Sequence, residues 1–93
     1  MTTFAVEYRY DDRADERDEV RPAHRAFLGG LLADGTLLAS GPYTDGAAGA
    51  LLLVVAPDAT TAVALLDTDP FWTAGLVADR TVRGWEPVLR VWA

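Results

Sequence analysis

The run Ala50-Leu51-Leu52-Leu53-Val54-Val55-Ala56 contains no polar residue. It reads as a β-strand, and a strand that is apolar at every position asks for cover on both faces of its sheet. The rest of the chain has to supply that cover. With 93 residues there is room for one domain, residues 1–93, near the lower end of the usual size range. Small domains bury a lower fraction of their surface than large ones, so a self-associating surface would help such a chain.

The other elements follow from pattern and punctuation. Phe4, Val6, Tyr8 and Tyr10 alternate with Ala5, Glu7 and Arg9, which predicts a first strand over Phe4 to Tyr10. The stretch Asp11 to Glu19 is dense in both charges and reads as a solvated loop leading into a helix, its acids placed to favour the positive end of the dipole. A short helical turn is allowed before Pro22, which suits the first turn of the main helix because its missing N–H does no harm there. That helix runs to about Asp34, with Gly35 suited to the C′ position. Gly29-Gly30 lowers helix propensity by roughly 1 kcal/mol per glycine. Close approach of a neighbouring element is the expected reason.

Thr36 to Ser40 forms a second strand, ended by Gly41-Pro42-Tyr43, and Asp45-Gly46 supplies the positive-φ residue of the turn before the Ala50–Ala56 strand. A second helix opens at Pro57 to Thr61, capped by Asp58 or Thr60, and stops near Asp67. Asp69-Pro70-Phe71-Trp72 looks like a cap followed by proline at N1, starting a short turn that ends at Gly75. The last strand is expected from Arg80 to Trp92, broken by a bulge or edge at Glu86-Pro87. The order is βαββαβ, an α+β ferredoxin-like arrangement with one four-stranded antiparallel sheet and two main helices on one face. Phe4 and Ala5, Leu52 and Leu53, and Leu89 and Trp92 put apolar side chains toward both faces. A bare apolar face of that extent is unusual in a monomer, so the expectation is a homodimer packed sheet against sheet.

His24 is the sole histidine, and it shares one helical stripe with Phe27, Leu28 and Leu31 at i, i+3, i+4 and i+7, extended by Val20 and Gly35. A histidine aimed inward needs a hydrogen-bond partner, since a buried polar group without one is costly. It suits either of two roles: a core histidine satisfied by a carbonyl or carboxylate, or a general acid–base that titrates near neutrality. Asp69 likewise suits a helix cap, a partner that orients His24 and stabilises its protonated form, or both through its two oxygens.

Ser40 is a candidate donor to a substrate carboxylate or carbonyl. It is not a candidate nucleophile, for want of a Gly-x-Ser-x-Gly elbow. Gly41 permits close backbone approach to a ligand, or simply ends the strand with Pro42. Arg17 and Arg21, spaced i, i+4, either flank the mouth of a pocket and clamp an anion or pair with the nearby acids. Tyr8 and Phe71 are the aromatics expected to line the pocket, while Tyr43, Trp72 and Trp85 are expected in the core or a dimer contact.

Several classes are disfavoured. The net charge of −6, with no basic stripe, argues against nucleic acid. No apolar run approaches the ~20 residues that span a bilayer, and Met1-Thr2-Thr3-Phe4 does not begin a signal peptide. The absence of cysteine excludes disulfides, thiolate nucleophiles and zinc–thiolate sites, and it fits a cytoplasmic protein. One histidine with dispersed carboxylates makes no recognisable metal site. Without a Gly-x-Gly-x-x-Gly or P-loop pattern no nucleotide cofactor is expected.

Arg17, Arg21-Pro22-Ala23-His24, Ser40-Gly41-Pro42 and Asp69-Pro70-Phe71, at these separations, resemble the YCII-like proteins, small dimeric α+β barrel domains of about this length. The resemblance runs over nearly the whole chain. It implies a ferredoxin-like subunit and a histidine–aspartate pair in a pocket, roles that would fall to His24 and Asp69. It also implies kinship with lyases and isomerases acting on small ring or diene acids. Trp72 stands where a smaller residue is common and would narrow the pocket. The leading functional expectation is a small cofactor-independent enzyme moving a proton, by elimination or isomerisation, on a small anionic metabolite. The alternative is a metabolite-binding or accessory dimer module without turnover.

Overall fold

A computed structural model describes residues 1–92. The chain runs β1 (Thr2–Arg9), α1 (Ala14–Ala33), β2 (Leu37–Pro42), β3 (Gly49–Ala56), α2 (Ala59–Leu66), α3 (Pro70–Thr73) and β4 (Asp79–Gly84). The four strands form one antiparallel sheet in the order β2-β3-β1-β4. This is the ferredoxin-like βαββαβ topology, with β1 and β3 central.

Alternation divides the two faces. Val6 opposite Leu52, Phe4 opposite Val54 and Tyr8 opposite Ala50 point toward the helices and are buried. Fully burying a side chain of the size of Leu52 or Val54 contributes roughly 1.5–3 kcal/mol. On the other face Ala5 lies opposite Leu53 and Glu7 opposite Leu51. Leu53 is half-buried and Leu51 exposed. The apolar run of β3 therefore has one face sealed by helices and one face open. Gly49 lets β1 and β3 close at their ends, since a Cβ there would meet the Tyr8 carbonyl.

β2 carries one extra residue. Leu37 pairs with Val54, but Ala39, not Leu38, pairs with Leu53. This bulge sets the rest of β2 so that Ser40 and Pro42, opposite Leu52 and Ala50, lie on the helix side.

Local signals fix most boundaries. Asp58 caps α2 by accepting the Thr61 N–H at 2.7 Å, and that bond holds its carboxyl below the usual carboxylate range. Gly35, at φ 84°, follows the end of α1, and its successor Thr36 donates its N–H to the Leu31 carbonyl at 3.0 Å. Gly46 adopts φ 68° in the turn before β3.

Three expectations need correction. The helix α1 begins at Ala14, so Asp15 to Glu19 are helical and Pro22 lies inside the helix. Its missing N–H leaves only the carbonyl of the solvent-facing Asp18 unpaired in the ladder. The early start is favoured by Asp15 and Glu16 at the positive end of the dipole and by Arg17, which turns inward. The last strand ends at Gly84, after which Trp85 N–H donates to Thr3 O at 2.8 Å and regular pairing stops. β1 continues through Thr3 and Thr2, but the ladder ends at the Phe4–Gly84 pair, and Pro87 has no N–H to extend it. Glu86-Pro87 is thus beyond the strand, and Leu89 is 95% exposed. Finally, no element crowds Gly29 or Gly30: a Cβ at either would meet nothing within 4 Å.

Among the described residues no helix is long and apolar enough to cross a membrane.

Candidate functional site

Asp69 leaves α2 in an extended conformation and caps α3, with Pro70 at the helix start. Its carboxylate is fully buried. A carboxylate in that position is tolerable only if its oxygens are satisfied. Oδ1 accepts the Phe71 N–H at 3.0 Å and faces His24 Nδ1 at 2.8 Å. Oδ2 accepts the Tyr8 hydroxyl at 2.8 Å. Three elements, α1, α3 and β1, thus converge on one side chain.

His24 arrives from the inward stripe of α1, where Arg17, His24, Leu28 and Leu31 are buried. Its ring lies flat on Phe71, with centroids 3.8 Å apart and planes within 3°. With an ionised Asp69 as acceptor, Nδ1 carries the proton and Nε2 is the free ring nitrogen of neutral imidazole. Nε2 has no protein partner among the described residues. The one sealed, unpartnered side-chain nitrogen or oxygen among them is Arg80 Nη1, so Nε2 retains solvent access.

That access leads into a cavity of about 680 Å³ between α1 and β2. Ser40, Gly41 and Pro42 form its β2 wall, Phe71 and His24 part of its floor, and Arg21 its rim. Leu28, Leu37 and Leu52 make the interior apolar, and Gly29 widens it by having no side chain. A depression of similar volume, about 660 Å³, lies under the C-terminal segment, where Glu86 and Arg90 are the charged side chains.

Two residues expected in the pocket lie elsewhere. Tyr8 is 1% exposed and stands behind Asp69, in the core. Burial, first, and then the neighbouring Asp69 charge push its phenol far above the ordinary tyrosine value, so it acts as a fixed donor. Arg17 is buried as well. Its Nη1 donates to the Asp11 carbonyl at 2.9 Å, and the guanidinium sits 4.7 Å from the centre of the Tyr10 ring. Extension of α1 before Pro22 is what turns Arg17 inward. Arg21, one turn on, does line the cavity, paired with Asp18 and 5.9 Å from the Phe71 ring centre. Trp72 does not narrow the cavity. It stacks under the Arg80 guanidinium at 3.6 Å, away from it.

Tyr10 and Arg25 line the cavity and were not singled out by their sequence context. The alternation that puts Tyr8 on the helix side applies to Tyr10 also, and Arg25 adjoins His24. Burial, and then the Asp69 charge, push the Tyr10 hydroxyl up to about 12, against the opposing pull of Arg17 and Arg21. Among the described residues no group of three or more His, Cys, Asp or Glu side chains is arranged to hold a metal ion.

Solved structures that share the fold include two from different enzymes. The 5-chloro-2-hydroxyhydroquinone dehydrochlorinase TftG from Burkholderia phenoliruptrix AC1100, in complex with 2,5-dihydroxybenzoquinone, matches with a TM-score of 0.79 at 24% identity, over 90% of this chain and 93% of that one. An antibiotic biosynthesis monooxygenase matches with a TM-score of 0.56 at 17% identity, over 96% of this chain and 100% of that one. No curated protein matches the sequence. The model of the YCII-related domain matches residues 1–86, from β1 through β4. The chain belongs to the YCII-related domain family.

Proposed function

We propose that this protein is a small cofactor-independent enzyme that moves a proton on a small anionic metabolite, in a reaction of the lyase or isomerase class. His24 is the base and the returning acid, and Asp69 orients it. The observation that carries this reading is the 2.8 Å contact between His24 Nδ1 and a fully buried Asp69, with Nε2 left as the nitrogen open to the cavity. Such a contact fixes the tautomer and stabilises the imidazolium formed when Nε2 takes a proton. Arg21 and Arg25 at the cavity favour a negatively charged substrate, and the leucines favour one that is partly apolar. Ser40, Gly41, Pro42 and Phe71 form the wall against which it rests.

The chemistry balances simply. Nε2 removes a proton from the carbon next to a carbonyl, and the electron pair moves to the carbonyl oxygen. That oxyanion then collapses with departure of a leaving group, or takes the proton back from His24 at another carbon. The activity named for TftG, loss of a proton and chloride from a hydroxylated ring, supports the first branch.

The working unit is a homodimer in which the open sheet face of one copy, around Ala5, Leu51 and Leu53, packs on the same face of another. Their exposure supports this arrangement.

The test incubates wild type and His24→Ala with 5-chloro-2-hydroxyhydroquinone and a panel of small hydroxy- and keto-acids in D₂O. Chloride release and deuterium incorporation are the readouts. Elimination or exchange that depends on His24 supports the reading. Equal rates in both proteins would refute it, and saturable binding without exchange would instead favour a metabolite-binding module.

A further inference from the structure

Tyr8 and Tyr10 sit two residues apart on the same side of the chain, and their hydroxyls meet different fates. The Tyr8 hydroxyl is consumed by Asp69 at 2.8 Å. The Tyr10 hydroxyl has no hydrogen-bond partner among the described residues and, not being among their sealed polar atoms, keeps solvent access. Tyr10 lines the same cavity as His24. Its ring is held on three sides: edge-on to Tyr8 at 6.4 Å, edge-on to Phe71 at 5.8 Å, and under the Arg17 guanidinium at 4.7 Å. Phe71 in turn carries the His24 ring on its face. One aromatic ring therefore braces both the imidazole and the phenol.

A base at one side of a substrate is half of what proton abstraction beside a carbonyl needs. Charge arriving on the carbonyl oxygen needs a donor already in place, where a preset dipole costs no reorganisation. We infer that Tyr10 is that donor: its hydroxyl binds the oxygen on which negative charge develops when His24 removes the proton. The ligand class is accordingly a small ring bearing an enolate or phenolate oxygen.

Tyr10 gives a hydrogen bond and keeps its proton. The only proton transferred goes from substrate to His24 Nε2. The high pKa described above matches a donor that stays protonated as the oxyanion forms. Arg17, buried and tied to the Asp11 carbonyl, is a positioning residue that keeps the Tyr10 ring from turning away. The inference rests on the proton-transfer reading for its mechanism, but its recognition half can be measured without turnover.

The probe is 4-nitrophenolate, whose visible absorbance reports both binding and ionisation. Wild type, Tyr10→Phe and Tyr43→Phe are titrated with it. Tyr43 loses a hydroxyl that bonds Glu7, outside the cavity. Tyr10→Phe should bind the probe roughly 10- to 100-fold more weakly, as expected for a hydrogen bond to a charged oxygen, while Tyr43→Phe stays within about twofold. In wild type labelled at the tyrosine Cζ carbons, the Tyr10 resonance should shift on adding probe and the Tyr8 resonance should not, a readout that needs no variant to fold. Equal affinity in wild type and Tyr10→Phe, no binding by wild type, or an unmoved Tyr10 resonance would each overturn the assignment. A loss of affinity in Tyr10→Phe together with His24-independent deuterium exchange would uphold the donor and remove the base.

Discussion

The His24 imidazole and the Phe71 ring lie parallel, 3° apart in plane and 3.8 Å apart at their centres. The stack fixes the plane of the imidazole, and Asp69 fixes its rotation within that plane. Together they leave a single orientation in which Nε2 meets the cavity.

Phe71→Leu should loosen that orientation. The substitution keeps an apolar side chain in a buried site, so the stability loss should be modest, roughly 1–2 kcal/mol by urea unfolding. The His24 ring protons should lose the ring-current displacement that Phe71 imposes. Unchanged His24 resonances in a folded variant would show that the stack does not order the ring in solution.

Tyr8→Phe removes one of three donors to a buried carboxylate. Leaving Asp69 Oδ2 unsatisfied should cost roughly 1–3 kcal/mol, read from the shift in denaturation midpoint at constant slope. Catalysis should fall as well, because Asp69 loses an anchor while His24 stays in place.

Alkaline stability follows from the same tyrosines. Tyr8 and Tyr10 both have folded pKa values raised above the ordinary 10.0, chiefly by burial. Below pH 10 the two are protonated in folded and unfolded chains alike, and their contribution is fully present. Above it the unfolded chain releases protons that the folded chain retains, so stability should fall as pH rises through 10 and beyond. Unfolding free energy measured from pH 8 to 11 should slope downward in wild type and less steeply in Tyr10→Phe. Parallel slopes would place the titration elsewhere.

Asp69→Asn should lower kcat less than His24→Ala does. The amide keeps an oxygen for the Phe71 N–H but removes the charge that supports an imidazolium. A steady-state comparison on whichever substrate shows His24-dependent exchange would decide it. An Asp69→Asn variant as inactive as His24→Ala would mean that the carboxylate does more than orient and support.

Leu52→Asp and Leu53→Asp are adjacent in sequence and opposite in effect. Leu52 is 1% exposed beneath the helices, and a charge there should unfold the subunit. Leu53 lies on the open face, so Leu53→Asp should yield folded monomers by sedimentation and circular dichroism. A Leu53→Asp protein that remains dimeric would exclude face-to-face packing.

The parts of this fold legible in the sequence are those decided locally. Asp58 and Asp69 before their helices, Gly35 after α1, Gly46 in the turn and the alternation of β1 each follow from a short-range rule. The meeting of His24 and Asp69 follows from chain order, since β4 pairs with β1 and carries the α3 turn to the end of the sheet where α1 starts. What was not legible depends on distant partners. Pro22 looks like a helix start until Arg17 is seen packing on Tyr10, a contact made with another element. Residues beyond Gly84 are apolar enough for a strand, but their ladder with β1 stops at the Phe4–Gly84 pair, although Thr3 and Thr2 continue β1. Tyr10 carries the same periodicity as Tyr8, and only the position of Asp69 decides which hydroxyl is taken.

The extra residue in β2 reaches further than its own strand. Leu38, unpaired between Leu37 and Ala39, lines both large depressions, one on each side of the sheet edge. Were Leu38 drawn into the ladder opposite Leu53, the downstream strand would shift by one, turning Ser40 and Pro42 to the open face and the Ala39 side chain toward the cavity. The unpaired state of one residue therefore separates a β2 wall bearing a hydroxyl from one bearing none. A lineage carrying this chain could lose Leu38 and keep Ser40 facing the cavity, but a change that drew Leu38 into the ladder would rewrite both surfaces at once.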